Sequence, residues 1–224
     1  MSAPAVIIPA VIIIIGAGGH AAVVADALLA SGVRVLGFTD ADASRHGRQL
    51  IGLPVLGGDA VLDGYNRADV ALANGIGGIG QAAREQPRRQ AQQRLTQQGW
   101  RFVRVRHPQS IVSPFAHLGE GAQIFAGAIV QPGARLGEGC VVNSGAVVEH
   151  DVVLGDYTHA APGAVICGDV TLGADCHIGA GATVRQGLQL GAATVIGVGA
   201  VVVKNCSGDC LLVGVPARQM ERRA

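Results

Sequence analysis

Val142-Asn143-Ser144-Gly145-Ala146-Val147-Val148-Glu149-His150-Asp151-Val152-Val153-Leu154 decides how this chain is read. Val142, Val148 and Leu154 stand six residues apart, small Ala146 lies two places before an anchor, and Gly145 lies three places after one. Outward from this stretch the spacing holds without a slip from Val112 to Val202. It passes through Leu118, Ile124, Val130 and Leu136 on one side and Ala160, Ile166, Leu172, Ile178, Val184, Leu190 and Ile196 on the other. A strand repeats every two residues and a helix about every 3.6, so neither gives six with a recurring glycine. Six is explained if each hexad is one short strand and one turn, with anchor and small residue both facing inward and three hexads closing a triangular coil. That is a left-handed parallel β-helix, its coils stacked about 4.8 Å apart like neighbouring strands, each burying its faces only against the coils next to it. The sixteen anchors predict about five coils. A narrow interior of this kind also accounts for a chain with 34 glycines and only 3% aromatic residues.

The residues before Ser110 follow a different grammar. Ala10–Ile15 reads as a buried strand, Gly16-Ala17-Gly18-Gly19-His20 as a tight turn, Ala21–Ala30 as a helix and Val33–Thr39 as a second strand, together one βαβ unit. Asp69–Ala73 reads as another strand, Gln81–Gln98 as a polar-faced helix with Pro87 near its first turns, and Arg101–Val105 as a final strand. The expected fold is therefore α/β followed by all-β: a small Rossmann-like domain over 1–110 and the left-handed parallel β-helix over 111–205. A tail over 206–224 is expected to fold back over the last coil.

Composition narrows the function classes. A chain of 224 residues fits one large domain or two modest ones, and 49% hydrophobic against 15% charged residues excludes disorder. The formal net charge of +1 leaves no basic field to hold nucleic acid. Val6–Ile15 has no basic flank and is too short to span a bilayer, so it reads as a buried strand of a soluble protein. Five cysteines in no framework spacing read as reduced thiols of a cytoplasmic protein, and Cys206 with Cys210 cannot alone complete a zinc site.

Gly16-Ala17-Gly18-Gly19-His20-Ala21 satisfies the Gly-x-Gly-x-x-Ala variant of the dinucleotide fingerprint, with Asp40 at the end of the second strand where a ribose-binding acid is expected. The physics asks only for close backbone approach to a phosphate at a helix N-terminus, which any nucleotide diphosphate satisfies. About 100 residues are too few for the double crevice of a hydride-transfer enzyme, so a single nucleotide is favoured over NAD. Asp40 or Asp42 would accept from a base N–H or a ribose hydroxyl. His20 would donate to a phosphate or sugar, or serve as a plain helix residue. Within the repeat, His150 lies at a turn between Glu149 and Asp151, and a carboxylate beside an imidazole holds one ring nitrogen protonated and raises basicity at the other. His159 occupies an outward position nine residues on, half a coil away and on a different side of the prism. A site using both must be built between neighbouring subunits, naturally in a closed trimer. His177 repeats the place of His159 one coil later and reads as a solvated polar residue. The γ-type carbonic anhydrases place three histidines on such a scaffold, but spacings of nine and eighteen do not converge, and no metal is expected.

Gly16-Ala17-Gly18-Gly19-His20, Gly52-Leu53-Pro54-Val55, His107-Pro108, Asn143, Glu149-His150-Asp151, His159, Gly168 and Gly214-Val215-Pro216-Ala217 together resemble a known family. It is the bacterial hexapeptide-repeat nucleotide-sugar N-acetyltransferases, which acetylate bacillosamine and perosamine precursors, with the related sialic acid O-acetyltransferases. The resemblance covers nearly the whole chain. It implies acetyl transfer from acetyl-CoA, a cosubstrate with no metal beside it, to the amino group at C4 of a UDP- or GDP-linked amino-deoxy sugar such as a 4-amino-4,6-dideoxyhexose. It further implies a cytoplasmic homotrimer in glycan or lipopolysaccharide biosynthesis. His150 would be the general base, oriented by Asp151 or Glu149, and the Gly168 N–H would stabilise the oxyanion. Asn143 would lie near the accepting sugar, and Gly18, His20, Asp40 and Asp42 would hold its nucleotide. His159 would lie near the thioester, with Ala180, Val198, Lys204, Pro216 and Arg218 along the rest of coenzyme A. Three other readings stand beside it: sialic acid or sugar O-acetylation, an NAD-linked oxidoreductase resting on the glycine turn alone, and a non-catalytic solenoid that binds a sugar nucleotide.

Overall fold

A computed structural model describes residues 11–77 and 86–220. The chain divides into two compact units between Val103 and Arg104.

In the first unit, strands β1 (Val11–Ile15), β2 (Arg34–Thr39), β3 (Gln49–Leu50), β4 (Leu53–Gly57) and β5 (Val70–Asn74) form a sheet in the order β3-β4-β2-β1-β5. Strand β1 runs parallel to β2 and β5 on either side. A central parallel strand is covered on both faces, which is why its sequence is an unbroken isoleucine run, fully buried from Ile12 to Ile14. Helix α1 (Gly19–Ala30) crosses between β1 and β2 and buries Ala21, Val24, Ala25 and Leu28. Helix α2 (Pro87–Gln97) starts with proline in its first turn, where the missing N–H costs nothing. The expected residues Gln81–Glu85 of that helix, like Val6–Ala10 of the first strand, lie outside the described residues. The final strand expected over Arg101–Val105 shrinks to one bridge: Leu72 donates to the Arg101 carbonyl at 2.9 Å and Val103 donates back to Leu72 at 2.8 Å. Val105–Arg106 instead stacks on Gln123–Ile124 and opens the second unit, so the division falls earlier than Ser110.

The second unit is a three-faced coil. Its first face stacks Ile111–Val112, Ile129–Val130, Val147–Val148, Val165–Ile166, Thr183–Val184 and Val201–Val202 in parallel, partners eighteen residues apart. The second face stacks His117–Leu118, Arg135–Leu136, Val153–Leu154, Thr171–Leu172 and Gln189–Leu190. The third runs from Val105–Arg106 through Val141–Val142, His159–Ala160 and His177–Ile178 to Leu211–Val213. Every anchor from Ile124 to Val202 packs with the small residues Ala128, Ala134, Cys140, Ala146, Ala164 and Ala182 in one continuous core. The corners need left-handed backbone, which glycine supplies at Gly145 (φ 65°). Asp151, Asp169 and Asp175 adopt the same conformation at φ 59°, which aspartate tolerates better than most residues. The outward residues differ by face: aliphatic on the first, as at Ile129, Val147, Val165 and Val201, but polar on the second, as at His117, Arg135, Thr171 and Gln189.

Two expectations for the tail are corrected. It does not simply fold back: Cys206 bridges to Leu190 and Leu211–Val213 pairs in parallel with Val195–Ile196, so part of a further coil forms. Only Arg218–Met220 returns antiparallel to that strand. The expectation of reduced thiols throughout also fails, since Cys206 and Cys210 are joined by a disulfide. The chain leaves the hexad register after Val202, and the loop that follows brings the two sulfurs together above Thr194. Cys140, Cys167 and Cys176 form no disulfide; Cys140 and Cys176 are buried and Cys167 is half-buried.

Candidate active site

The glycine turn of the first unit is tied down by Asp40. One carboxylate oxygen accepts from the Ala17 N–H at 2.7 Å and the other from the Asp42 N–H at 2.9 Å. Asp40 therefore shapes the turn before it meets any ligand, an occupation the sequence reading did not assign to it. Asp42 accepts from the Ser44 N–H at 2.9 Å, and the Ser44 hydroxyl, then that N–H, with Arg45 beside them, hold its carboxyl below the usual carboxylate range. Arg45 donates to the Ala17 carbonyl at 2.7 Å. Across the cleft Arg94 pairs with Asp59, which also accepts from the Thr39 hydroxyl at 2.9 Å. Asp40, Asp42, Arg45, Asp59 and Arg94, with Gly16 and Gly18, line a cleft of about 470 Å³ at the α1 N-terminus, the place where unpaired N–H groups favour phosphate. His20 stands in the first turn of α1, beside Gly77.

Sequence reasoning missed Arg45, Asp59, Arg94 and Gly75. Gly75 has no room for a side chain, since a Cβ there would lie 2.6 Å from Ile14 and 2.7 Å from Ala21. Asparagine and glycine at the end of a strand were the signal available. Replacing Asp40 with alanine leaves the N–H of buried Ala17 without its acceptor. The expected result is a loss of about 1–3 kcal/mol in urea unfolding together with weaker nucleotide binding.

On the coil, His150 is exposed at the corner after the first face, and its Nδ1 lies 3.0 Å from the Asp151 carboxylate. A carboxylate only accepts, so Nδ1 carries the proton of this bond, and Nε2 makes no bond to Asp151. Glu149 makes no bond to His150; its N–H pairs with the Ile166 carbonyl. Of the two neighbouring acids, Asp151 is the one bonded to the imidazole. One coil above, Gly168 leaves room for the imidazole: a Cβ there would sit 2.5 Å from Nε2. The Gly168 N–H makes no hydrogen bond among the described residues, while its neighbours Cys167 and Asp169 both donate.

Asn143 and His159 meet on the third face, where the Asn143 amide nitrogen lies 3.2 Å from His159 Nε2. His159 in turn contacts His177 edge-on, ring centres 5.1 Å apart. His177 is not the solvated residue expected: burial holds its pKa below the usual 6.5. It is neutral when folded, so its share of stability is full above the unfolded pKa and is lost as pH falls toward the folded one. The wild-type melting temperature should therefore drop below about pH 6.5 more steeply than that of His177→Asn, as thermal unfolding across pH 4–8 would measure. His150 with Gly168 and Asn143 with His159 lie at different edges of the prism, as the nine-residue offset predicts. Ala180 and Val198 share the edge beyond His159 and His177, with Ala180 accepting from Gly199 at 2.9 Å and Val198 81% exposed. Lys204, Pro216 and Arg218 are exposed. Among the described residues no group of three or more His, Cys, Asp or Glu side chains converges as a metal site.

Comparison with known proteins accords with this arrangement. Residues 11–94 match the PglD N-terminal domain, and 115–150 and 151–186 match the bacterial transferase hexapeptide (six repeats). The acetyltransferase domain of PglB from Neisseria gonorrhoeae is 31% identical, with a TM-score of 0.86 over 94% of this chain and 100% of that one. The chain belongs to the hexapeptide-repeat sugar N-acetyltransferases. PerB from Caulobacter crescentus, solved with CoA and GDP-perosamine, is 34% identical, with a TM-score of 0.85 over 94% of this chain and 97% of that one. WeeI from Acinetobacter baumannii, at 25% identity, has a TM-score of 0.76 over 94% of this chain and 99% of that one. No curated protein matches in sequence.

Proposed function

We propose that this protein transfers the acetyl group of acetyl-CoA to the C4 amino group of a nucleotide-linked 4-amino-4,6-dideoxyhexose. The observation that carries the reading is the His150 imidazole, donating its Nδ1–H to Asp151 and presenting Nε2 beside Gly168, whose N–H is unbonded among the described residues. The amine attacks the thioester carbonyl, the N–C bond forms, and Nε2 takes the proton released by the nitrogen. The Gly168 N–H stabilises the oxyanion. As the tetrahedral species collapses, the C–S bond breaks and the thiolate leaves, taking the proton back from His150. Positioning and a proton acceptor are the main demands, because a thiolate is a good leaving group. The relatives add the ligand classes: PglB has been solved with acetyl coenzyme A and PerB with CoA and GDP-perosamine.

In this reading the glycine turn with Gly18, His20, Asp40 and Asp42 receives the nucleotide. A neighbouring copy brings its Asn143 and His159 edge to His150 in a closed homotrimer, with Ala180, Val198, Lys204, Pro216 and Arg218 along coenzyme A. The aliphatic outward column of the first face, beside the His150 corner, offers the apolar surface such an assembly buries. The test is release of free CoA thiol from acetyl-CoA with UDP- and GDP-linked 4-amino-4,6-dideoxyhexoses, alongside sedimentation of the protein. Turnover with one of them in a trimer is expected. No thiol release with either sugar nucleotide, or a monomer that turns over at full rate, would overturn the reading.

A further inference from the structure

Asn143 is held on both sides. Its side-chain oxygen accepts from the Ser144 backbone N–H at 2.8 Å, which fixes the amide so that its NH₂ group faces His159 Nε2 at 3.2 Å. A backbone N–H only donates, so the group bonded to it must be the oxygen. An amide NH₂ also only donates, so His159 Nε2 must be the accepting nitrogen and the ring proton must sit on Nδ1. A proton on Nε2 would point at the amide hydrogens, and the amide could turn to receive it only by giving up its bond from the Ser144 N–H.

We propose that Asn143, anchored by the Ser144 N–H, is a positioning residue that fixes the tautomer of His159, so that its Nδ1–H is the donor offered to the acetyl thioester. The His177 ring packs edge-on against His159 on its other side. This assigns the Asn143 amide to His159 instead of to the accepting sugar. The part about the thioester rests on the acetyl-transfer reading; the tautomer itself does not.

Two variants separate this role from a structural one. Asn143→Asp replaces the donor by an acceptor and should move the ring proton to Nε2. Ser144→Pro deletes the N–H that fixes the amide. The coil already accepts proline at this corner position in Pro114, Pro132 and Pro162, the last directly above Ser144, so this variant should fold. The measurement is the long-range ¹H–¹⁵N spectrum of histidine-labelled full-length protein, with the His159 signals assigned by their loss in His159→Gln. Wild type should show His159 protonated at Nδ1, Asn143→Asp at Nε2, and Ser144→Pro a mixture. In turnover, Asn143→Asp should lose about 10²-fold in kcat with KM for acetyl-CoA little changed, the loss expected when one donor to the developing oxyanion is removed. A wild-type ring protonated at Nε2, or a tautomer indifferent to both substitutions, overturns the proposal. If the tautomer responds as expected but no nucleotide sugar is acetylated, the acetyl-transfer reading fails while the tautomer assignment stands.

Discussion

Replacing His150 with alanine should lower kcat by about 10²- to 10⁴-fold, the usual worth of a positioned general base. The melting temperature and the assembly state should hardly move. The imidazole is 63% exposed and is bonded to the similarly exposed Asp151, so little packing is lost with it. Steady-state kinetics at neutral pH with acetyl-CoA and the accepted sugar nucleotide, run beside thermal unfolding, measure both quantities. Near-full turnover by His150→Ala would falsify the base assignment, and the amine would have to lose its proton elsewhere.

Gly168→Ala should produce a comparable loss by a different route. The new methyl would lie 2.5 Å from His150 Nε2 and 2.6 Å from Cε1, so the ring must swing out of its place. The ring sits at an exposed corner and can yield, so the coil stays folded while the base is misplaced by about 1 Å or more, worth about 10²-fold in kcat/KM. The same substitution at Gly155 makes the comparison sharp. There the methyl meets backbone, 2.4 Å from the Ala174 nitrogen and 2.5 Å from the Gly173 carbonyl carbon, and backbone cannot step aside. Gly168→Ala should therefore keep its melting temperature and lose activity, whereas Gly155→Ala should lose its melting temperature. If Gly168→Ala turned over normally, His150 would not be acting from the position described.

The coil was legible because its physics repeats. Each hexad must satisfy the same inward crowding and the same left-handed corner, so sixteen copies of the rule leave little freedom in register. The His150–Asp151 pair was legible because the two are neighbours in sequence. The Gly168–His150 contact was also within reach, since the two are one full coil apart, and so was His159 beside Asn143, because His159 stacks on Val141. The histidine–histidine contact appeared as a spacing, but its burial did not, because an outward position says nothing of how deeply two adjoining rings cover one another. Arg45, Asp59 and Arg94 were invisible for a firmer reason. They reach the glycine turn from separate elements, and no period or local motif connects position 94 to position 59. The disulfide lies where the repeat stops, and there the chain ceased to forecast itself.

Partners on each face of the coil are eighteen residues apart, and each layer touches only those adjoining it. The prism is in effect a graduated rod. An insertion or deletion of one whole turn should be absorbed and would carry everything above it along the axis by a step of about 4.8 Å, without rotation. Any other length change would turn the outer side chains onto the wrong edge. The distance along the axis between the His150 corner and side chains higher on the coil can thus be altered only in quanta, by adding or dropping complete layers.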